Sequence, residues 1–137
     1  MALSSQELKH YSRHVLLKKV GIEGQGKLKK SKVLIVGAGG MGAAVATYLV
    51  GAGVGQVGII DAGFVETTNL HRQLLYGYSS LGDSLVERAR QRLHDLNPFI
   101  KIETIEEPLS TENALELIDR YDIIVDGTGK VSTRFLI

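Results

Sequence analysis

The feature that most constrains this chain is a glycine-rich turn set between an apolar run and an alanine-rich one. Val33-Leu34-Ile35-Val36 leads directly into Gly37-Ala38-Gly39-Gly40-Met41-Gly42, and the alanine-rich stretch from Ala43 follows. Four apolar residues without alternation suit a strand covered on both faces, as in a parallel sheet. Gly37, Gly39 and Gly42 satisfy G-x-G-x-x-G in that strand-to-helix context. The first permits a tight turn, the second lets backbone approach a phosphate, and the third lets helix and strand pack closely. Amides at the helix start then face an anion. A second strand, Val57 to Ile60, ends in Asp61, at the spacing of about 20 residues where a carboxylate accepts hydrogen bonds from ribose hydroxyls. This context implies nucleotide binding. The alternative is that the glycines serve only close packing and Asp61 caps a loop.

The remaining pattern is that of an α/β chain. Ser4-Ser5-Gln6-Glu7 reads as a capping box, which predicts a first helix from about Ser5 to Lys18 with Leu8, Tyr11, Val15 and Leu16 as its apolar stripe. Gly21, Gly24 and Gly26 read as breakers of that helix, and Lys27, Lys29, Lys30 and Lys32 as a solvated basic linker. Further helices are expected over Met41 to Gly51, over Asp83 to Leu96 with a stop at Asn97-Pro98, and from Ser110 or Thr111 to about Arg120. Residues 62 to 82 read as irregular. Ile100 to Ile105 is a third strand, and Ile123 to Val125 a fourth that ends at Asp126 and Gly127. Such alternation implies right-handed crossovers and a Rossmann-like doubly wound parallel sheet of four strands, ordered 3-2-1-4, with an amino-terminal helix. One domain is expected over 1–137, with 1–31 a helical extension and 32–137 the βα repeats. The apolar end Phe135-Leu136-Ile137 and an open fourth strand lead to the expectation of a shortened chain or one completed by association.

Composition narrows the class. At 137 residues, 44% hydrophobic and 23% charged, the chain has the make-up of one soluble globular domain. A net charge of +1 gives no case for nucleic acid or an anionic membrane as partner. No apolar run approaches membrane-spanning length and no signal profile opens the chain, so a cytoplasmic protein is expected. The absence of cysteine removes disulfides, thiolate nucleophiles and cysteine zinc sites. His10, His14, His71 and His94 share no ligand spacing and read as surface or packing residues.

The loop after Asp61 carries Asn69-Leu70-His71-Arg72-Gln73, a guanidinium between two amides. Arginine offers a fixed fork to phosphate and the amides orient it, whereas a hydride-transfer site has no evident need for it. Nothing assigns acid–base work to His71. Tyr76 and Tyr78 read as loop packing, and Glu87, Arg88, Arg90 and Arg92 as an exposed helix face.

Other matching segments are Tyr11-Ser12-Arg13-His14, Gly24-Gln25, Leu28, Ala52-Gly53-Val54-Gly55, Val65, Gly82, Asn97-Pro98, Asp126, Thr128 and Arg134. With these, the glycine loop, Asp61 and the Asn69-to-Gln73 cluster, the chain resembles the ThiF/MoeB/HesA family. These relatives of ubiquitin-activating enzymes adenylate the C-terminal carboxylate of a ubiquitin-like sulfur carrier. The resemblance implies that Gly39 and Gly40 approach the phosphates, Asp61 holds the ribose, and Asn69, Arg72 and Gln73 contact the triphosphate. It implies catalytic roles for Arg72 and for Arg13, the latter reaching across a homodimer into the partner site. ATP and magnesium are the implied cofactors and a sulfur-carrier protein the implied partner. No metal ligand and no zinc are expected from this chain, and the family's carboxyl-terminal half with its paired cysteines is absent from the sequence. Three positions depart from the family pattern. Gly63 stands for a second acid, Leu85 for a lysine, and Gly129 in Thr128-Gly129-Lys130 for the aspartate associated with magnesium. These departures keep a second reading open, an impaired or inactive nucleotide- or protein-binding module. An NAD-dependent oxidoreductase is a minor third.

Overall fold

The computed structural model describes residues 2–137. Its centre is a parallel sheet of β1 (Lys32–Val36), β2 (Gln56–Ile60), β3 (Lys101–Ile105) and β4 (Ile123–Asp126), ordered β3-β2-β1-β4. Order and strands match the sequence expectation to within a residue or two. Val36 lies opposite Ile60 on one side and Asp126 on the other, so three strands finish level at their carboxyl ends.

The apolar runs are unbroken because both faces are covered. On one face Val33, Ile35, Val57 and Ile59 pack with Ala46 and Val50 of α4 (Gly40–Ala52) and with Val86 and Leu93 of α5 (Leu85–Leu96). On the other, Leu34, Val36 and Ile60 meet Leu117 of α6 (Ala114–Asp119) and Tyr121 just beyond it. Gly58 leaves room for that tyrosine, since a side chain there would collide with the phenol. The Tyr121 hydroxyl donates to Glu103 Oε2 at 2.8 Å, and burial, then the Glu103 carboxylate, push its pKa up to about 12. Helix α6 starts later than predicted, because Asn113 folds back to bond the Ser110 amide and holds the preceding residues in turns.

The amino-terminal segment differs most from expectation. The capping box is present, with Ser4 and Glu7 bonding reciprocally, but the single helix is divided into α1 (Ser5–His10) and α2 (Ser12–Val15). The chain bends at Tyr11 and drives that ring to 3% exposure, while Leu8 and Leu16 of the predicted stripe stay exposed at 37% and 74%. Gly21, Gly24 and Gly26, read as breakers, and Lys27, Lys29 and Lys30, read as a linker, lie within α3 (Gly21–Lys30). Each glycine disfavours a helix by about 1 kcal/mol, and burial of Gln25 and partial burial of Leu28 outweigh it.

Polar contacts fasten these helices to one another and to the end of α4. Asn97 Nδ2 donates to the Tyr11 hydroxyl at 2.7 Å and to the Val50 carbonyl at 2.8 Å. Gln25 Nε2 donates to the Ala52 carbonyl at 2.9 Å, and Gln25 Oε1 meets His14 Nδ1 at 3.2 Å. All converge on the end of α4, where Gly53 takes φ +91 and any side chain would strike Gln25 and the Tyr11 ring. After β4 the chain forms a further short helix, α7 (Val131–Leu136), that the sequence reading did not anticipate. Among the described residues no helix is long and apolar enough to cross a membrane.

Lys29, read as part of a solvated linker, instead bonds Glu7 Oε1 at 2.7 Å with only 20% of its side chain exposed. Burial alone would raise the Glu7 carboxyl, but Lys29 and the Ser4 amide and hydroxyl outweigh it and hold the carboxyl below its usual range. A depressed folded pKa means that the pair stabilises the fold above the ordinary carboxyl value of 4.5 and loses that effect as pH falls through and below it. Lys29→Ala is expected to cost about 2 kcal/mol in urea unfolding at neutral pH, and less in acid. An equal cost at both pH values would contradict this account.

Candidate functional site

The level ends of β1, β2 and β4 form the floor of a cavity of about 580 Å³. It lies where the sheet order reverses: the connections from β1 and from β3 leave on opposite faces, the crevice where doubly wound sheets bind ligands. Gly37, Gly39 and Gly40 line it from β1 and α4, Asp61 and Gly63 from the end of β2, Arg72 from the following loop, and Thr128 to Lys130 from the end of β4.

Backbone contact shapes this end of the molecule. Gly37 turns with φ +95, and its amide donates to the Ile60 carbonyl at 2.9 Å, extending the ladder one residue past the strand. A side chain on Gly42 would overlap the Gly37 carbonyl, and one on Gly127 would begin 3.0 Å from the Gly37 oxygen and the Gly42 Cα. Gly42 is therefore a packing residue, as expected, and does not line the cavity. No side chain caps α4, whose N-cap is Gly39, so its first amides remain available to an anion.

Asp61 is partly buried and fixed by the same loop. Its Oδ2 accepts from the Ala38 amide at 2.8 Å and its Oδ1 from the Gly63 amide at 2.7 Å. Tyr76, read as loop packing, is 8% exposed and donates its hydroxyl to the Ala38 carbonyl at 2.7 Å. Burial, then the Asp61 carboxylate, push that hydroxyl far above its ordinary pKa, so it remains a donor. The glycine loop is thus held from both sides of Ala38. Tyr76 is a site residue the sequence reading missed, for its only signal was an aromatic residue within a polar loop.

The Asn69-to-Gln73 cluster divides its tasks. Arg72 Nη2 donates to Asn69 Oδ1 at 2.9 Å, and Nη1 lies 3.3 Å from where a Gly40 side chain would begin. Asn69 does not line the cavity; it steers the guanidinium. Gln73 is 4% exposed, its carboxamide nitrogen is 3.7 Å from the same point on Gly39, and its Oε1 is buried without a hydrogen-bond partner. Gln73 does not line the cavity; it packs its carboxamide behind Gly39. His71 is exposed. Arg13 lies on α2, exposed and outside the cavity.

The donor set does not fit a divalent cation held by protein carboxylates. Asp61 is the one carboxylate lining the cavity, and each of its oxygens already accepts one backbone amide. Asp126 binds the Thr128 amide and hydroxyl at 3.0 and 2.8 Å and Arg134 at 2.8 Å. Arg134 first, then Thr128, hold it below the usual carboxylate range. Among the described residues no three His, Cys, Asp or Glu side chains gather to hold a metal.

The model of the ThiF family matches residues 11–137. The chain belongs to the ThiF family. It is 49% identical over 135 residues to the adenylyltransferase and sulfurtransferase MOCS3 of Aedes aegypti, covering 98% of this chain and 31% of that one. It is 44% identical over 137 residues to the sulfur carrier protein adenylyltransferase of Thermus thermophilus, covering 100% of this chain and 51% of the relative. The chain therefore spans between about a third and a half of these curated relatives. The fold superimposes on E. coli tRNA N6-threonylcarbamoyladenosine dehydratase TcdA, solved with ATP, with a TM-score of 0.90 over 96% of this chain and 54% of that one. At 21% identity that likeness is one of fold.

Two of the three departures from the ThiF family pattern occupy one spot. A side chain on Gly63 would begin 2.9 Å from Asp61 Oδ1 and 3.0 Å from Leu85 Cδ1, and Leu85 is 6% exposed. Gly63 and Leu85 are neighbours, so both departures fall beside Asp61. Gly129 faces open space.

Gly42→Ala is expected to cost about 3 kcal/mol in urea unfolding, because the obstacle is backbone on both sides. A variant as stable as the parent would show that α4 and β1 can separate freely.

Proposed function

We propose that this domain binds ATP on its glycine loop and adenylates the C-terminal carboxylate of a ubiquitin-like sulfur-carrier protein. The observation that carries the reading is the convergence of the open α4 amides, Gly39, Asp61 and Arg72 on one crevice. Membership of the ThiF family and the names of its relatives support it, as does the ATP complex of a protein of the same fold. In this reading Gly37 shapes the turn, Gly39 and Gly40 admit the phosphates, and Asp61 receives the ribose hydroxyls. Arg72, steered by Asn69, meets the triphosphate, and Gln73 backs Gly39. A carboxylate oxygen of the carrier attacks the α-phosphorus, forming a C–O–P bond while the bond to pyrophosphate breaks. Arg72 stabilises the charge that develops. Arg13, exposed and without a carboxylate partner among the described residues, is assigned to the site of a second copy in a homodimer. The compartment we assign is the cytoplasm. No step is routed through magnesium.

A second reading has its own support. Leu85 buries an alkyl chain where the family places a charge, and Gly129 carries no carboxylate. These favour a module that binds nucleotide or carrier and turns over slowly or not at all. The oxidoreductase reading has no observation beyond the glycine loop.

Calorimetric titration with ATP tests binding. Saturable binding is expected, weakened at least about tenfold by Arg72→Ala through loss of a charge-assisted contact, with NAD unable to displace it. Pyrophosphate exchange in the presence of carrier then separates the active enzyme from the binding module. No binding at millimolar ATP would overturn both nucleotide readings.

A further inference from the structure

The charges that line the cavity are Asp61, Arg72 and Lys130. Each oxygen of Asp61 already accepts one backbone amide, from Ala38 or Gly63, and its remaining lone pairs are the ones assigned above to the ribose hydroxyls. Arg72 stands beside Gly40 at one lip of the crevice. Lys130 stands at the other, on the segment leaving β4, and among the described residues no carboxylate pairs with it. The base of that segment is fixed: Thr128 is bonded twice to Asp126, which Arg134 holds in turn. Magnesium keeps most of its waters and is usually held by one or two carboxylates together with substrate phosphates. This cavity offers a single carboxylate, the one assigned to the ribose, beside a guanidinium and an ammonium.

We propose that Lys130 binds the polyphosphate of the nucleotide together with Arg72, and that this pair of cations takes the charge-neutralising place of a divalent cation. Nucleotide binding at this site is then independent of magnesium. The proposal rests on the nucleotide reading above and deepens it. An ammonium is a compact point charge on a flexible stem and reaches phosphate oxygens without the planar geometry that arginine requires. Next to it, Gly129 adds no side chain that would compete for the ammonium. Arg72 and Lys130 against the single carboxylate of Asp61 leave the lining of the cavity net positive.

The test is titration of the whole chain with ATP in excess chelator and, separately, in excess magnesium, with adenosine as the uncharged probe. The wild-type chain is expected to bind ATP with Kd values within about threefold of each other in the two conditions. Lys130→Ala is expected to weaken ATP in chelator by about tenfold, the loss of one charge-assisted contact, while adenosine binding stays unchanged. Lys130→Arg should restore most of the affinity, and thermal melting of each variant separates loss of contact from loss of fold. ATP binding that requires magnesium, or that is unaffected by Lys130→Ala, overturns the proposal while leaving the nucleotide site standing. Absence of ATP binding by the wild-type chain under both conditions overturns the nucleotide reading itself and this proposal with it.

Discussion

The contact on which the rest of the structure depends is one of backbone against backbone, where Gly42 of α4 meets the carbonyl of Gly37 and Gly127 closes against both. The end of β1 and the start of α4, joined by the glycine turn, meet the end of β4 about 90 residues on with no side chain between them. Adding a methyl group at Gly42 would separate helix from strand, and the crevice would lose the wall that presents the α4 amides. The site is thus made by what is missing from the side chains as much as by what they carry.

At its other end α4 is fixed by polar contacts. Gly53 turns away with positive φ, and Tyr11, Gln25 and Asn97 close over it, each buried and each hydrogen-bonded. Buried polar groups that are fully paired specify a geometry, whereas the apolar core alone would tolerate sliding. The Lys29–Glu7 pair then ties α1 to α3. The amino-terminal helices therefore brace the helix that carries the glycine loop, which gives α1 to α3 a place in the function although none of their residues lines the cavity.

What the sequence made legible was whatever is written locally. The unbroken apolar strands, the glycine loop between strand and helix, the carboxylate at Asp61 and the 3-2-1-4 order all follow from short patterns and chain connectivity. Family resemblance supplied the candidate roles of Asn69, Arg72 and Gln73, and the fold brings Arg72 to the crevice with Asn69 behind it and Gln73 buried beside Gly39. The rest depends on contacts between distant segments. Gly21, Gly24 and Gly26 looked like breakers because nothing nearby reveals that Gln25 is buried against Ala52. Lys29 looked solvated because its partner is 22 residues away. Tyr76 looked like loop filler because its acceptor, Ala38, is 38 residues away. The proximity of Gly63 to Leu85, which sets both departures beside Asp61, is likewise invisible in a linear reading.

The central claim is that ligand phosphates meet the backbone of the glycine loop between Arg72 and Lys130. Amide chemical shifts followed by NMR during addition of ATP report on that backbone directly. The account predicts that the largest shifts fall on Gly37 to Gly42, with smaller ones at Arg72, Gln73 and Thr128 to Lys130, and none along Arg90 to His94 on α5. Shifts concentrated on α5, or spread evenly with the glycine loop unmoved at saturation, would contradict it.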